Sequence, residues 1–473
     1  MTHPLQKKII LLLFVSMVLS PLPAMAMGQT TLSSRLTSPP ATLAPGSYQL
    51  LIIAPQEFVR ALKPLQEHKD KMGILTRIES LDEVYQYTFW HGRDNAEKVK
   101  YFIQMAMDNW DIHYVLLVGG RSSQFIDRWY CPVRYVSSSD DWENQYLSDL
   151  YFADIYNATG QFSTWDSNEN GIYGEWHPNQ AALDTGIDFT PDIAVGRLPC
   201  RSRREVTTMV DKIITYETSA YNSSWYSTML VAAGDTYPEF ENPNWTGYEG
   251  EYYGDRAIEN MTGFTPTRLY TSDHTFQTKD DIILALHQGF GFVYLVGHGS
   301  PKQWGNHPAN NKTFIQGPNT DDMYKFRNRD KLPICVVSGC HNCQFDVCLR
   351  RGFNKTLRWR QEYVPECWGE RSLSTRNGGM VATIGVTALG YTKEDKQSFK
   401  GGINELEVAF FHAYGQDRTM HLGDAWTAAI TWYANTYPID TNAMGGSDTW
   451  IDSKVIGSWV LLGDPSLQPG GYP

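Results

Sequence analysis

The chain has 473 residues, of which 42% are apolar, 13% aromatic and 19% charged, and its formal net charge is -12. This length and composition exclude a disordered chain and a small disulfide-stapled scaffold, and they predict a folded protein with two domains or subdomains. The acidic balance provides no basic stripe to displace the counterions of DNA or RNA, so no nucleic-acid partner is expected.

The first 26 residues have the pattern of a secretory signal peptide. Lys7 and Lys8 precede an apolar run over residues 9–19, and cleavage is expected after Ala26. That run is shorter than the ~20 residues a membrane-spanning helix needs, so no stable membrane insertion is expected once the signal is removed. The sequence therefore predicts a secreted or extracytoplasmic protein, with a flexible Ser/Thr/Pro-rich lead over residues 27–46.

The next region alternates between predicted strands and predicted helices. Apolar runs predict strands at 48–54, 74–78, 114–118 and 190–199, and helical spacing predicts helices at 57–71, 95–107 and 205–217. Strands that alternate with helices indicate a parallel sheet with right-handed crossovers. We interpret residues 47–222 as an N-terminal α/β subdomain.

An acidic loop within this subdomain, residues 166–175, reads DSNENGIYGE. Oxygen-bearing side chains at alternate positions followed by a glycine are typical of calcium loops, because calcium takes six to eight oxygen ligands. A solvated turn made of the same residue types is the alternative. The predicted ligands are Asp166, Asn168, Asn170, Ile172 and Glu175.

The second half repeats the alternation. Strands are predicted at 229–233, 267–270, 380–385 and 459–462 and at the start of 292–300 and 334–344, with helices at 251–260, 280–287, 404–414 and 422–434. A doubly wound, mostly parallel sheet flanked by helices fits this order. The predicted fold class is thus α/β with two α/β subdomains, the second spanning residues 223–473.

Two stretches of the second half end in residues able to do chemistry. FVYLVGHGS (292–300) and ICVVSGCHNCQ (334–344) each break at a glycine just before His298 or Cys340. Because the carboxyl ends of neighbouring parallel strands share one edge, both side chains can face one crevice. A thiol of pKa about 8.5 needs a neighbour to ionise it, and an imidazole can provide that help. The backbone N–H groups of Gly299 and Cys340 can then hold a developing oxyanion.

These two strand ends resemble those of caspase-like (clan CD) cysteine peptidases, and the gingipain-type C25 family is the most similar. The acidic loop 166–175, the segment PDIAVGRLP (191–199) and the terminal LLGDPSL (461–467) agree with that resemblance. It implies a caspase-like catalytic subdomain over residues 223–473, protein or peptide substrates, a thioester intermediate and a structural calcium. It also assigns Cys340 as nucleophile, His298 as acid/base, Gly299 as an oxyanion contributor and Asp192 as the acid that orients the histidine.

Substrate preference is less defined. Residues that follow strand ends near the site, and are therefore expected to form pocket walls, are Trp304, Thr387 and Tyr391. Family members can prefer Arg or Lys, but the sequence does not place the acid that such a pocket requires. The basic segment 350–360 is interpreted either as a flap or as a solvated face, and a Cys340–Cys343 disulfide would silence the enzyme until it is reduced.

Four other functions compete with peptide hydrolysis. The C-x4-C-x2-C spacing of Cys335, Cys340 and Cys343 matches one type of iron–sulfur protein. Cys340-x-x-Cys343 also fits a thiol–disulfide oxidoreductase. A related sortase-like transpeptidase and a non-catalytic binding protein are the remaining alternatives, although intact Cys340, His298 and Gly299 argue against a dead enzyme.

Overall fold

The structure, a computed structural model, describes residues 43–238, 247–392 and 400–473. The predicted signal peptide (1–26) and most of the predicted lead (27–46) lie outside the described residues. In the part of the chain that is described, no helix is both long and apolar enough to cross a bilayer.

The described residues form fifteen strands, most of them about five residues long. In chain order the strands are β1 Leu50–Ala54, β2 Thr76–Ser80, β3 Tyr114–Val118, β4 Tyr135–Val136, β5 Tyr146–Leu147, β6 Ala194–Leu198, β7 Thr228–Ala233, β8 Thr265–Tyr270, β9 Phe292–Val296, β10 His298–Gly299, β11 Trp304–Asn306, β12 Ile315–Gln316, β13 Ile334–Ser338, β14 Ala382–Val386 and β15 Trp459–Leu462.

Eleven α-helices connect the strands in the described ranges. They are α1 Gln56–Lys71, α2 Leu81–Tyr87, α3 Asn95–Trp110, α4 Arg203–Ser219, α5 Glu249–Asn260, α6 Lys279–Leu286, α7 Lys355–Trp359, α8 Trp368–Ser374, α9 Ile403–Gly415, α10 Leu422–Thr436 and α11 Asp448–Ser458. Side-chain caps begin several of them, as where the Ser80 hydroxyl accepts a hydrogen bond from the N–H of Glu83 at the start of α2.

Ten strands form one sheet in the order β2-β1-β3-β6-β15-β14-β13-β9-β7-β8. Every pair is parallel except β14 with β15. Most of its central strands are buried throughout, as expected where helices cover both faces of a parallel sheet. The predicted α/β class, with a mostly parallel sheet flanked by helices, is confirmed.

The strands of residues 47–222 and those of residues 223–473 occupy separate halves of this sheet. β6 and β15 join the halves, with Leu462 paired to Arg197. β15 is parallel to β6 and antiparallel to β14, so, apart from β15, the strands of the two halves point in opposite directions. One hydrophobic core therefore runs along the whole sheet.

The edge of the sheet where β7, β9 and β13 end carries the candidate site. These strands are adjacent and parallel, with Ala232 level with Leu295, and Val296 level with Ser338. The residues that follow all three strands therefore emerge at one edge. A short antiparallel sheet, β10-β11-β12, continues outward from the end of β9.

Candidate active site

A sharp turn after β13 presents Cys340. Gly339 follows the last strand residue, and the residue after the cysteine, His341, has the left-handed φ of 59°. The N–H of His341 donates to the carbonyl of Ala388, 2.8 Å away, which fixes the turn against the segment that follows β14. The Cys340 side chain is half-buried, and so it is held in place while still partly open to solvent.

His298 occupies the matching position on the neighbouring strand. Val296 and Ser338 are paired, and the N–H of Gly297 donates to the carbonyl of Ser338 at 3.0 Å. His298 and Cys340 are each two residues beyond that pair, so both lie just past adjoining strand ends at one register. The structure thus brings the two residues to the same edge of the sheet, as the glycine breaks predict.

Glycines let the two strand-end loops approach closely. A Cβ atom at Gly339 would lie 2.9 Å from the Cα of Gly299, and one at Gly299 would lie 2.3 Å from Oδ1 of Asn342. The buried Asn342 amide donates to the carbonyls of Ser300 (2.8 Å) and Gln303 (3.0 Å), and so ties the Cys340 loop to the His298 loop. Packing at this point has no room for a side chain at either glycine.

The imidazole of His298 is held by a backbone carbonyl. Its Nε2 lies 2.5 Å from the carbonyl oxygen of Thr236, the third residue after β7. A carbonyl only accepts, so Nε2 carries a proton, and in the neutral form of the ring the lone pair is on Nδ1. The rings of Tyr237 and His307 pack edge-on against the imidazole at centroid distances of 5.9 and 5.8 Å. This packing fixes the ring plane.

The thiol of Cys340 lies against Gly390, whose N–H is 3.4 Å from Sγ. Burial raises the pKa of Cys340 above its usual range, and the charge of Glu143 raises it further, whereas the N–H of Gly390 and the ammonium of Lys454 lower it. A raised pKa favours the protonated thiol at neutral pH.

A buried charge cluster supports this side of the site. The ammonium of Lys454, on α11, bonds the carboxylates of Asp140 and Glu143, the latter at 2.8 Å. The hydroxyl of Tyr391 donates to Asp140 at 2.6 Å, and Glu143 accepts the N–H of Leu389 at 3.0 Å. The cluster thereby anchors the segment that contacts Cys340.

Asp192 does not lie beside His298, and its predicted orienting role is wrong. It stands two residues before β6, and three strands, β15, β14 and β13, separate β6 from β9, which at ~4.8 Å per strand places it on the order of 19 Å from the end of β9. Its carboxylate accepts the N–H groups of Ile155 and Tyr156, both at 2.7 Å. It is a turn residue, and the acceptor of the His298 proton is the Thr236 carbonyl.

Two predicted pocket residues are also wrong. Trp304 is fully buried and stacks on Phe276 at 5.7 Å, so it belongs to the core. Thr387 is buried, and its hydroxyl donates to the carbonyl of Leu147 at 2.6 Å. Tyr391 is half-buried next to Gly390, close to Cys340, and its predicted place in a substrate pocket stays a prediction.

The predicted calcium loop has the expected turn but also a bound guanidinium. Asp166 accepts the N–H groups of Asn170 (3.0 Å) and Gly171 (2.9 Å), and its other charge partner is Arg93 at 2.5 Å. The oxygen-rich donor set suits calcium chemically, whereas Arg93 takes the place of a cation beside Asp166. Over the described ranges, no group of three or more His, Cys, Asp or Glu side chains is arranged to hold a metal ion. Calcium binding by Asp166, Asn168, Asn170, Ile172 and Glu175 stays a prediction.

The cysteine arrangement bears on two of the alternatives. All seven cysteines are free thiols, and Cys343 is fully buried against Gly369 and Gly385. Within the described residues no three cysteines form a metal-holding group, which removes the support for an iron–sulfur cluster. Cys340 and Cys343 lie in turns after a parallel strand and not at the start of a helix, unlike a thioredoxin-type motif.

Sequence reasoning missed several residues that position the site. Thr236 follows β7 in the stretch Gly234-Asp235-Thr236, so the same rule of a strand broken at glycine could have found it. Asn342 had a weaker signal, its position two residues after Cys340. Lys454, Asp140 and Gly390 had none, because they come from segments distant in sequence.

An α/β sheet of this topology, with a cysteine and a histidine at adjoining strand ends, defines the caspase-like class of fold. The profile of Peptidase family C25 matches residues 44–470. The chain therefore belongs to peptidase family C25, the cysteine peptidase family that includes the gingipains, and the predicted family is confirmed.

Curated relatives are similar over part of the chain. Gingipain R2 of Porphyromonas gingivalis W83 is 19% identical over 425 residues, which is 89% of this chain and 45% of that protein. Lys-gingipain of P. gingivalis is 24% identical over 44% of this chain and 10% of its own length. An uncharacterized protein of Archaeoglobus fulgidus is 24% identical over 56% of this chain and 64% of its own length. The chain thus spans less than two thirds of each of these relatives.

A solved structure agrees in fold. The Arg-specific cysteine proteinase gingipain R (RgpB) superposes with a TM-score of 0.60 at 17% identity, covering 91% of this chain and 80% of that one. At this identity the likeness concerns the fold, which is the caspase-like α/β fold predicted for this chain.

Proposed function

We propose that this chain is a secreted cysteine endopeptidase in which Cys340 is the nucleophile and His298 the acid/base. The observation that supports this most is the register of the two strand ends, which brings a thiol and a carbonyl-bound imidazole to one edge of the sheet. Membership of family C25 supports peptide-bond hydrolysis and protein substrates.

In the proposed mechanism the Cys340 sulfur attacks the carbonyl carbon of the scissile bond while its proton passes to Nδ1 of His298. The Thr236 carbonyl accepts the Nε2 hydrogen bond and so stabilises the imidazolium that forms. The N–H groups of Gly299 and Cys340 donate to the tetrahedral oxyanion. Collapse breaks the C–N bond, the leaving amine takes the proton from His298, and a thioester remains. Water, deprotonated by His298, then attacks the thioester carbonyl; the C–S bond breaks, the acid product leaves, and the Cys340 sulfur takes the proton back from His298.

The names of two relatives state a preference for lysine or arginine. Recognition of a basic side chain requires an acid whose charge is not already compensated. Asp140 and Glu143, near Cys340, are both paired with Lys454. We therefore assign these two acids a structural role and do not assign them to the recognition of a basic substrate residue.

A library digest tests the proposal. The mature protein, with calcium and reductant, is incubated with a peptide library, and cleavage sites are read by mass spectrometry. We expect cleavage by the wild type and none by Cys340→Ala. No cleavage by the wild type, or equal cleavage by the variant, would contradict the proposal, and products joined to a second peptide would assign transpeptidation.

Export is the second part of the proposal and rests on residues 1–26. If the signal peptide is removed after Ala26, the exported protein begins at Met27. N-terminal sequencing of the protein recovered from the extracytoplasmic fraction tests this. A recovered protein that still begins at Met1, or a protein that remains in the cytoplasm, would contradict the proposed export.

A further inference from the structure

The segment 349–361 differs in charge from the rest of the molecule. It holds five basic residues and no acid, in a chain of net charge -12. A 3-10 turn, Leu349–Phe353, and α7 form most of it. We refer to these residues as the basic segment.

The basic segment also exposes large apolar side chains. Leu349, Phe353 and Trp359 are 43%, 85% and 69% exposed, and Phe125 and Ile126, in the loop after β3, are 58% and 65% exposed. The two segments are tied together, because the N–H of Arg350 donates to the carbonyl of Gln124 at 3.1 Å and its guanidinium donates to the carbonyl of Phe125 at 3.3 Å. Clustered exposed apolar groups mark interaction sites on soluble proteins.

A rigid base keeps these side chains outward. Arg351 is ion-paired with the buried carboxylates of Asp346, at 2.6 Å, and Glu362. The side chain of Asn354 caps α7 by accepting the N–H groups of Thr356 and Leu357. Because its backbone and Arg351 are fixed inward, the basic segment does not need to bury Phe353 or Trp359 to be folded.

The basic segment adjoins the candidate active site. The hydroxyl of Ser300, two residues after His298, donates to Oε1 of Gln361 at 2.7 Å. The ring of Trp359 packs on that of Trp142 with centroids 5.0 Å apart. Trp142 precedes Glu143, whose charge acts on Cys340. A polypeptide that enters the cleft on this side therefore crosses the basic segment.

We propose that the basic segment, with Phe125 and Ile126, is a docking surface for polypeptide substrates that carry acidic and apolar side chains outside the scissile bond. This inference rests on the proposed peptidase function. Lys355 and Arg358 are exposed and make no ion pair within the described residues, so their charges are available to carboxylates. Aromatic anchors beside cations match a partner of mixed acidic and apolar character. Continuity with the cleft favours a substrate chain over a lipid surface.

A binding experiment on Cys340→Ala protein tests the surface without requiring catalysis. The probes are two fluorescein-labelled synthetic peptides, one alternating Glu with Phe and one alternating Lys with Phe, measured by fluorescence anisotropy. We expect the Glu/Phe peptide to bind and the Lys/Phe peptide to bind at least about tenfold more weakly. Equal binding of both peptides, or binding of neither, would overturn the proposal.

Two added double variants locate the surface. Phe353→Ser with Trp359→Ser, and Lys355→Glu with Arg358→Glu, should each weaken Glu/Phe binding about tenfold or more. The matched control reverses two exposed cations on α1, Arg60→Glu with Lys63→Glu, and should leave binding unchanged. An equal loss in the control would show a general charge effect and overturn the proposal. If the protein sediments with phosphatidylglycerol vesicles but does not bind the Glu/Phe peptide, the proposal is overturned and the surface is assigned to membrane binding.

A cleavage experiment separates this inference from the proposed function. Active protein carrying Phe353→Ser and Trp359→Ser is compared with the wild type on a short peptide from the library digest and on the same site within a long acidic, apolar chain. We expect kcat/KM to fall about tenfold for the long chain only. An equal fall for both substrates overturns the docking surface. Absence of any wild-type cleavage contradicts the peptidase proposal, while the binding result still judges the surface.

Discussion

The local contacts of Cys340 and His298 affect where each side chain holds its proton. Burial and the charge of Glu143 raise the pKa of the Cys340 thiol, which favours its protonated form at neutral pH. The Nε2 contact with Thr236 leaves Nδ1 as the basic nitrogen of His298. In the proposed mechanism His298 therefore acts as a base during attack, and the reaction does not start from a preformed thiolate–imidazolium pair.

The reactivity of Cys340 should depend on pH in a defined direction. Because its pKa is raised, the thiolate fraction grows as pH rises through the alkaline range, and we expect alkylation by iodoacetamide to keep accelerating above pH ~9. Mass spectrometry of the Cys340 peptide measures the rate. A plateau near neutral pH would contradict the protonated resting thiol.

Lys454 should modulate this profile as a positioning residue. Lys454→Met leaves Asp140 and Glu143 without their cation and removes the charge that lowers the Cys340 pKa. We expect its alkylation profile to move to higher pH, with rescue by Lys454→Arg. Lys212→Met, which removes another buried lysine whose ammonium bonds three carbonyls, is the control. An unchanged profile in Lys454→Met would contradict the role.

Two histidines can be compared as candidate bases. His341 adjoins Cys340 in sequence, and it lies 3.7 Å from Glu143. We expect His298→Ala to lower kcat at least about a hundredfold, since general acid–base catalysis contributes that much. His341→Asn, which tolerates the left-handed backbone, should retain most activity. The reverse order of losses would reassign the base.

At the level of elements, the site depends on how closely two loops approach. A Cβ at Gly299 would lie 2.3 Å from Asn342 Oδ1 and 2.7 Å from the carbonyl carbon of Gly339. Gly299→Ala must therefore separate the loops, and we expect kcat to fall about a hundredfold, as for small misplacements of reacting groups. Gly352→Ala, where the nearest atom is 3.4 Å away, is the control. Near wild-type kcat in Gly299→Ala would contradict the packing argument.

The acidic loop offers a test of the calcium prediction. Calcium must compete with Arg93 for Asp166, so Arg93→Gln should enlarge the calcium-dependent rise in Tm. Wild type should show a smaller rise relative to EGTA, and Asp166→Asn none. Differential scanning fluorimetry measures these shifts, and equal Tm values with calcium and EGTA in all three proteins would contradict the prediction.

Much of the fold could be predicted because most strands of the main sheet are continuous apolar runs. All ten strands of the main sheet lie at predicted positions, whereas α11 was missed because it is buried on nearly all sides and has no apolar stripe. The glycine breaks located His298 and Cys340. Asp192 was misassigned because the order of strands in the sheet, which puts three strands between β6 and β9, cannot be read from the sequence. Trp304 was misassigned because an aromatic residue after a strand can pack inward.

For the whole molecule, the continuous sheet implies joint unfolding of its two halves. Lys69 on α1 is fully buried and bonds Glu217 (2.7 Å) on α4 and Asp464 (2.8 Å) after β15. This cluster fixes the C-terminal motif LLGDPSL against the first half of the chain. The contact between the C-terminal motif and the first half of the chain therefore depends on a buried ion-pair cluster.

Removing the central cation of this cluster should destabilise the protein strongly. Lys69→Met leaves the buried carboxylate of Asp464 without its lysine and that of Glu217 with only His68, at a cost of about 3–5 kcal/mol in the free energy of unfolding. Lys71→Met, exposed on the same helix, should have little effect. Denaturant unfolding followed by circular dichroism and tryptophan fluorescence measures both. Two separate unfolding transitions would contradict joint unfolding. Equal stability of the two variants would contradict the stabilising role of Lys69.

The central claim concerns one covalent bond. A cleaved peptide substrate is mixed with the enzyme, the reaction is quenched in acid within its first turnovers, and the adduct is mapped by mass spectrometry. The account predicts an acyl thioester on Cys340 in the wild type and little or none in His298→Ala. An acyl group on any other residue, or a peptide cleaved at full rate with Cys340 replaced by alanine, would contradict it.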